Sequence, residues 1–263
     1  MIAHMLSIAQ TQTRDVARSR WVVVYGGFFA VLAEGLLRFS GGDGRALLSI
    51  GTACLMVIPL ATLLLTTIYV YNAREFTELL LAQPVKRRSL YAALYLGLAV
   101  PLSASFALGT MLPFLLRGFN DSTSRGSLLA IIVIGVALTL AFTGIGFCIA
   151  LKVDDRLRAV GIALGVWLSC AVLYDGAVLA IVALFSDYPI ERPLLGLMLA
   201  NPVDLGRVLL LLRLEAMALL GYTGAVLERF FGIQGALIAA SSLAMWIAAP
   251  ALIGARVFRR KDF

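Results

Sequence analysis

The chain has 263 residues, of which 61% are of the apolar AVILMFWYC class and 14% are charged, against about 45–50% and about 25% in soluble domains. A mean hydropathy of +0.95 excludes a soluble fold, and at roughly 20 apolar residues per crossing the chain holds about six crossings with no room for a further catalytic domain. The net charge of +7 does not point to nucleic acid here, because the placement of Lys and Arg described below accounts for it as membrane topology.

Residues 1–20 come first. Ile2, Met5, Leu6 and Ala9 recur at helical spacing opposite His4, Ser7, Thr11, Arg14 and Arg18, which predicts an interfacial helix lying in the membrane surface. The late start of the apolar run, with no small-residue cleavage site after a short apolar region, speaks against a cleavable signal. Six runs with little or no charge follow: Trp21–Phe39, Ala46–Tyr71, Leu90–Leu116, Leu128–Leu151, Ala159–Phe185 and Ala236–Ala255. They predict six transmembrane helices. No internal repeat or linker divides them, so residues 1–263 form a single membrane domain and the fold class is all-α integral membrane.

Within the first span, Glu34 lies four residues before Arg38, a spacing that favours an ion pair near the outer interface. The second connection reads NAREFTELLLAQPVKRRSL over residues 72–90. Phe76, Leu79 and Leu80 take helical spacing with Arg74, Glu75 and Glu78 on the other side, which predicts a short amphipathic helix. Gln83-Pro84 stops it, because proline disfavours helix in the residue before it. Lys86, Arg87 and Arg88 then meet lipid headgroups as the third span begins. Two readings of this connection stay open on the residues alone: an ordinary loop with a basic anchor, or a docking knob for a soluble partner.

The fifth span contains Gly161 and Gly165, a small-residue step that lets helices approach closely. It also carries Tyr174-Asp175 far from either end. Asp175 has no base three or four residues away, so it must face protein or a hydrated cavity, find a partner on another helix, or be protonated. A dimer interface or an outward-facing cavity is the expected surrounding. The stretch Leu205–Leu227 tempts a seventh span but carries Arg207, Arg213 and Glu215, each costing roughly 2.5–3.5 kcal/mol at mid-span. It is expected to be an external helical segment on or dipping into the outer leaflet. Asn201 serves as N-cap, Pro202 suits the first helical position, and Asp204 sits near the positive helix end.

Orientation follows from the basic residues. Arg14, Arg18, Arg20, Arg74, Lys86, Arg87, Arg88, Lys152, Arg156, Arg158, Arg256, Arg259, Arg260 and Lys261 make up most of the 22 Lys and Arg residues, and all fall on one side of a six-span arrangement. Both termini are therefore expected to be cytoplasmic.

The sequence lacks the usual motifs of catalysis. None of the three lysines, Lys86, Lys152 and Lys261, sits in a G-x-x-x-x-G-K-[ST] loop, so nucleotide hydrolysis by that route is excluded. There is no G-x-S-x-G elbow or H-E-x-x-H helix, and the only histidine, His4, precedes every span. Cys54, Cys148 and Cys170 lie inside apolar runs without metal or redox spacing, and the scattered methionines make no copper relay. No catalytic, cofactor-binding or metal-ligating residue is assigned.

The phrase TELLLAQPVKRRSL between the second and third spans and the terminal FRRKDF resemble permease subunits of type 2 ABC exporters. Residues 160–212, including VGIALGVWLSCAVLYDGAVLAIV and ANPVDLGRVLLLL, are similar to the NosY-like permease subunits of the nitrous oxide reductase maturation transporter. The resemblance implies a bacterial inner-membrane subunit that pairs with a second copy of itself and with two ABC ATPase subunits, which would bind ATP and Mg. It implies that the 72–84 helix is a cytoplasmic coupling helix carrying Arg74, Glu75, Phe76, Glu78, Leu79, Leu80 and Pro84. It further implies export or transmission of a signal, with a periplasmic accessory protein as a partner. Phe76 departs from the pattern, standing where a glycine is common. The rival readings are an ion-coupled secondary transporter, which would need broken helices and midplane charges, and a non-transporting membrane assembly anchor.

Overall fold

The computed structural model describes residues 19–40, 43–82, 86–118, 122–185, 196–214 and 233–261. The expected interfacial helix before the first span and the Gln83-Pro84 stop lie outside the described residues. Among those described, all regular structure is helical: α1 (Arg20–Phe39), α2 (Asp43–Asn72), α3 (Arg74–Leu81), α4 (Arg87–Arg117), α5 (Ser122–Lys152), α6 (Arg156–Leu168), a π turn (Ser169–Leu173), α7 (Tyr174–Leu184), α8 (Pro202–Arg213) and α9 (Ile233–Arg260).

Six stretches are long and apolar enough to cross a membrane: α1, α2, α4, α5, the run from α6 through α7, and α9. They coincide with the six predicted spans and overrun several of them by a few residues, as where α4 starts at Arg87 and α9 ends at Arg260. Helical hydrogen bonding continues to the interface because backbone groups in lipid must be satisfied internally, while long basic side chains carry their charge outward. One end of the bundle, the basic end, gathers Arg74, Lys86–Arg88, Lys152, Arg156, Arg158 and Arg256–Lys261. Arg38, Arg45, Arg117 and Arg125 mark the other.

α5 is the central post, packing against α2, α4, α8 and α9, while α1 packs along α4. Phe29, Phe106, Phe142, Phe147 and Phe258 are fully buried. Lipid tails are as apolar as these rings, so close packing rather than expulsion from water holds the helices together. Gly26 and Gly109 make the tightest crossing. A Cβ on Gly109 would run into the carbonyl oxygen of Gly26, so only glycine lets α1 and α4 meet backbone to backbone there. Side chains add bonds between helices: Ser105 Oγ donates to Val22 O at 2.7 Å, Tyr95 OH to Leu140 O at 2.8 Å and Trp167 Nε1 to Met56 O at 3.0 Å.

Two features depart from the expected pattern. The fifth span is not one uniform helix, for the π turn at Ser169–Leu173 has Tyr174 N bonded to Ser169 O. The segment expected on or dipping into the outer leaflet, of which residues 205–214 are described, dips inward, and the residues that lead into it reach mid-depth. Leu199 O accepts from Trp246 Nε1 at 3.3 Å and Cys170 O accepts from Asn201 Nδ2 at 2.7 Å. Trp246 and Cys170 are the midpoints of α9 and of the α6–α7 span, so residues 199–201 sit at mid-depth. α8 then climbs to the end opposite the basic one, with Gly206 against Leu55, Leu210 against Gly51, and Arg213 against Gly126. A Cβ on Gly206 would come within 2.8 Å of Leu55 Cδ2, so the missing side chain is what lets α8 nest between α2 and α5. Insertion this deep is tolerated because Val203, Leu205, Val208 and Leu210 are buried in protein, where irregular backbone finds partners that lipid lacks.

Candidate functional site: the basic end and the mid-depth hairpin

At the basic end, α2 runs to Asn72, breaks at Ala73 and restarts as α3. Thr77 makes the break tight: both its N–H and its Oγ1 donate to Ala73 O, at 2.9 and 2.7 Å. Sequence periodicity places Phe76, Leu79 and Leu80 on one face, and the structure divides that face. Leu80 and Leu81 rest on the core and Thr77 is buried, whereas Phe76 and Leu79 are 42% and 71% exposed. Glu75 and Glu78 are exposed beside them, and Arg74 Nε reaches Glu78 Oε1 at 3.2 Å. α3 is thus a short rod with an anchored underside and a mixed apolar and acidic upper side.

The anchoring extends across the whole end. Tyr71 OH donates to Val153 O at 2.6 Å, and Lys261 Nζ donates to Leu151 O at 2.7 Å and pairs with Asp154 at 3.1 Å. Arg87 Nη1 donates to Arg259 O and Lys261 O at 3.0 and 2.8 Å. Asp155 caps α6 by accepting from Leu157 N at 2.8 Å. The ends of α2, α5, α6, α4 and α9 are therefore tied into one plate from which α3 projects. A force applied to α3 passes directly into α2 and reaches the other four spans through hydrogen bonds, without passing through a loose loop. Tyr71 escaped the sequence reading; a tyrosine at the last turn of a span more often signals an interface anchor.

The second constellation lies at mid-depth. Asp175 on α7, the residue without a local base, meets Arg207 Nη1 from α8 at 2.8 Å. The same nitrogen lies 3.3 Å from Asp204 Oδ1. Asn201 caps α8 by accepting from Val203 N at 3.0 Å while donating to Cys170 O inside the π turn, and Tyr174 OH donates to Leu197 O at 2.6 Å. Asn201, Pro202 and Asp204 hold their expected places at the helix start, and both carboxylates lie near its positive end. The hairpin, residues 196–213, is thus bolted to the fifth span within the π turn and just after it. Sequence reasoning treated Arg207 only as an obstacle to a seventh span; an unpaired Asp and an Arg, both in apolar stretches, were each other's missing partner.

Near the far end Glu34 Oε1 takes Arg38 Nε at 2.7 Å and also Arg117 Nη2 at 2.5 Å, joining α1 to α4. The α6–α7 span is the outlier in burial: only 6% of its apolar stretch is buried against 50–56% for α2, α4 and α5. Gly161 and Gly165 on it have no neighbour within 4 Å of where a Cβ would stand, so their close approach serves nothing within one subunit.

Comparison with known proteins bears on these constellations. Residues 73–263 match the model of a family described as ABC-2 family transporter protein. A protein of Pseudomonas aeruginosa named "Probable ABC transporter permease protein NosY" is 26% identical, the match covering 97% of this chain and 98% of that protein. A Stutzerimonas stutzeri protein of the same name is also 26% identical, with the same shares covered.

Proposed function

The chain belongs to the ABC-2 transporter family and is a multi-pass ABC permease subunit, and on that premise we propose that separate ATPase subunits drive it by gripping α3. The observation that carries this reading is the upper side of α3, where Phe76 and Leu79 stand exposed on a helix whose base is pinned to five spans. Closure of two ATPases on ATP and Mg is a rigid-body motion, and a stiff lever converts it into tilting of the attached helices. The basic end is then cytoplasmic, with both termini on that side and the chain in the bacterial inner membrane. The narrower part of the proposal is a NosY-like role: export of a substrate, or transmission of a conformational signal, toward maturation of periplasmic nitrous oxide reductase, through the 187–233 connection and a periplasmic accessory protein. The interrupted fifth span and midplane charges are what an ion-coupled transporter would show, but a family match over residues 73–263 favours ATP as the driver.

Co-expression with the cognate ATPase tests the proposal. The two are expected to co-elute from detergent, and replacing the ATPase's Walker lysine by alanine is expected to leave assembly intact while abolishing transporter-dependent activity. Normal activity with that inactive ATPase would establish the assembly-anchor reading instead.

A second copy completes the unit, and the exposed α6–α7 face around Gly161 and Gly165 is the surface proposed for it. Without dense packing inside the subunit, this face depends on a helix brought close by the two glycines. A Gly161→Leu, Gly165→Leu variant is expected to shift the chain from dimer to monomer by light scattering in detergent. Retention of the dimer would move the interface elsewhere.

A further inference from the structure

We infer that the groove between the start of α4 and the end of α9 is a binding site for the phosphate of an anionic phospholipid. Its lining is wholly basic: Lys86, Arg87, Arg88, Arg259 and Arg260, all exposed. Among the described residues none of the five pairs with a carboxylate. Two chain segments far apart in sequence have been brought together to make this concentration of like charge, which is self-repelling until an anion enters.

Local structure sharpens the demand. Lys86 caps α4 without a side-chain hydrogen bond, and no acidic residue occupies its first turn. Three cations therefore crowd the positive end of a helix dipole, where an anion belongs. At the other wall, Arg87 is committed to the carbonyls of Arg259 and Lys261. That bond fixes the width of the groove and leaves Lys86, Arg88, Arg259 and Arg260 as the donors that face a ligand. Guanidinium groups offer paired N–H donors matched to phosphate oxygens.

A phosphate could arrive free or on a lipid, and the surroundings favour the lipid. The groove lies where two membrane spans meet the interface. Toward the bilayer centre, Leu252 and Ile253 continue the stripe of Arg256 and Arg260 on α9, at 60% and 44% exposure. On α4, Leu96 follows Arg88 at helical spacing and is also exposed, as is Val100. A charged head with apolar tracks beneath it fits an amphiphile, whereas a soluble anion would need only the head. This inference stands on the groove alone and does not depend on the ATPase.

The test uses the full chain in detergent, with unfolding followed while dioleoylphosphatidylglycerol, dioleoylphosphatidylcholine or soluble glycerol 3-phosphate is titrated. Saturable stabilisation by phosphatidylglycerol alone is expected. A Lys86→Gln, Arg88→Gln, Arg260→Gln variant is expected to bind it on the order of 100-fold more weakly, at about fivefold per basic residue. Arg20→Gln, Lys152→Gln, which removes two charges at the same end, should bind as the wild type does. Native mass spectrometry of the wild type and of Arg88→Gln and Arg88→Lys gives a second reading should the triple variant fold poorly: retained phosphatidylglycerol should fall in the first variant and persist in the second. Equal stabilisation by glycerol 3-phosphate would overturn the lipid assignment, as would equal stabilisation by phosphatidylcholine. Unchanged phosphatidylglycerol affinity in the triple variant would place the site elsewhere, and stabilisation by the ATPase but by no lipid would make the groove a protein interface.

Discussion

A Phe76→Asp, Leu79→Asp double variant is expected to lose its ATPase on size-exclusion chromatography while the permease itself stays folded and in the membrane. Leu79 is largely exposed and Phe76 is 42% exposed, and neither belongs to the buried core, so their replacement leaves the core packing in place. In an interface, an aromatic and a leucine seated in a partner's cleft act as anchors worth about 2 kcal/mol or more each. Losing both weakens association by about a thousandfold, and burying two carboxylates in their place adds a desolvation cost. Neighbouring variants give the contrast. Glu75→Gln lies at the rim of the same surface and should cost no more than about tenfold, because exposed charges contribute about 1 kcal/mol or less. Leu80→Asp should instead destabilise the permease, since Leu80 rests on the core. Should the double variant keep its ATPase, α3 is not the lever and the docking surface lies elsewhere on the basic end.

The six spans could be read from the chain because apolar length is set by bilayer thickness, and that signal needs no tertiary information. α3 was legible for a related reason: its periodicity is local. The side of α3 that stays free was not legible. Phe76, Leu79 and Leu80 are equivalent by spacing, and which of them turns inward depends on how α3 lies against the bundle, with Thr77 buried and Leu80 on the core. The N-terminal features of α8 could be named from Asn201-Pro202-x-Asp204, since capping is chemistry between near neighbours. Its depth could not, because the charges that argue against crossing a membrane say nothing about docking halfway into one. That depends on Arg207 finding Asp175, a pairing across 32 positions of sequence. The π turn was hidden for the same reason: nothing in Ser169–Leu173 breaks a helix, and its carbonyl partner Asn201 comes from the hairpin.

That hairpin gives the other large expected effect. Arg207→Met is expected to release α8 from the fifth span, because it strips the counter-charge from Asp175 and Asp204 together. Breaking a fully buried ion pair from one side costs about 3–5 kcal/mol. Asp175 and Arg207 are each about a third exposed, so about half of that is expected here. Asp175→Asn should be milder: Arg207 keeps Asp204 at 3.3 Å, and the amide can still accept a hydrogen bond. The two changes share one interaction, so the double variant Asp175→Asn, Arg207→Met should cost less than the sum, with a coupling of about 1–2 kcal/mol in thermal unfolding. Stability alone does not separate release of the hairpin from general weakening. Leu205 does, because its side chain is fully buried between α8 and the bundle. A cysteine placed there should resist a water-soluble maleimide in the otherwise wild-type chain and become reactive when Arg207 is replaced. Additive effects of the two substitutions, with position 205 still protected, would show that Arg207 does not hold α8 in place and that apolar packing alone seats the hairpin.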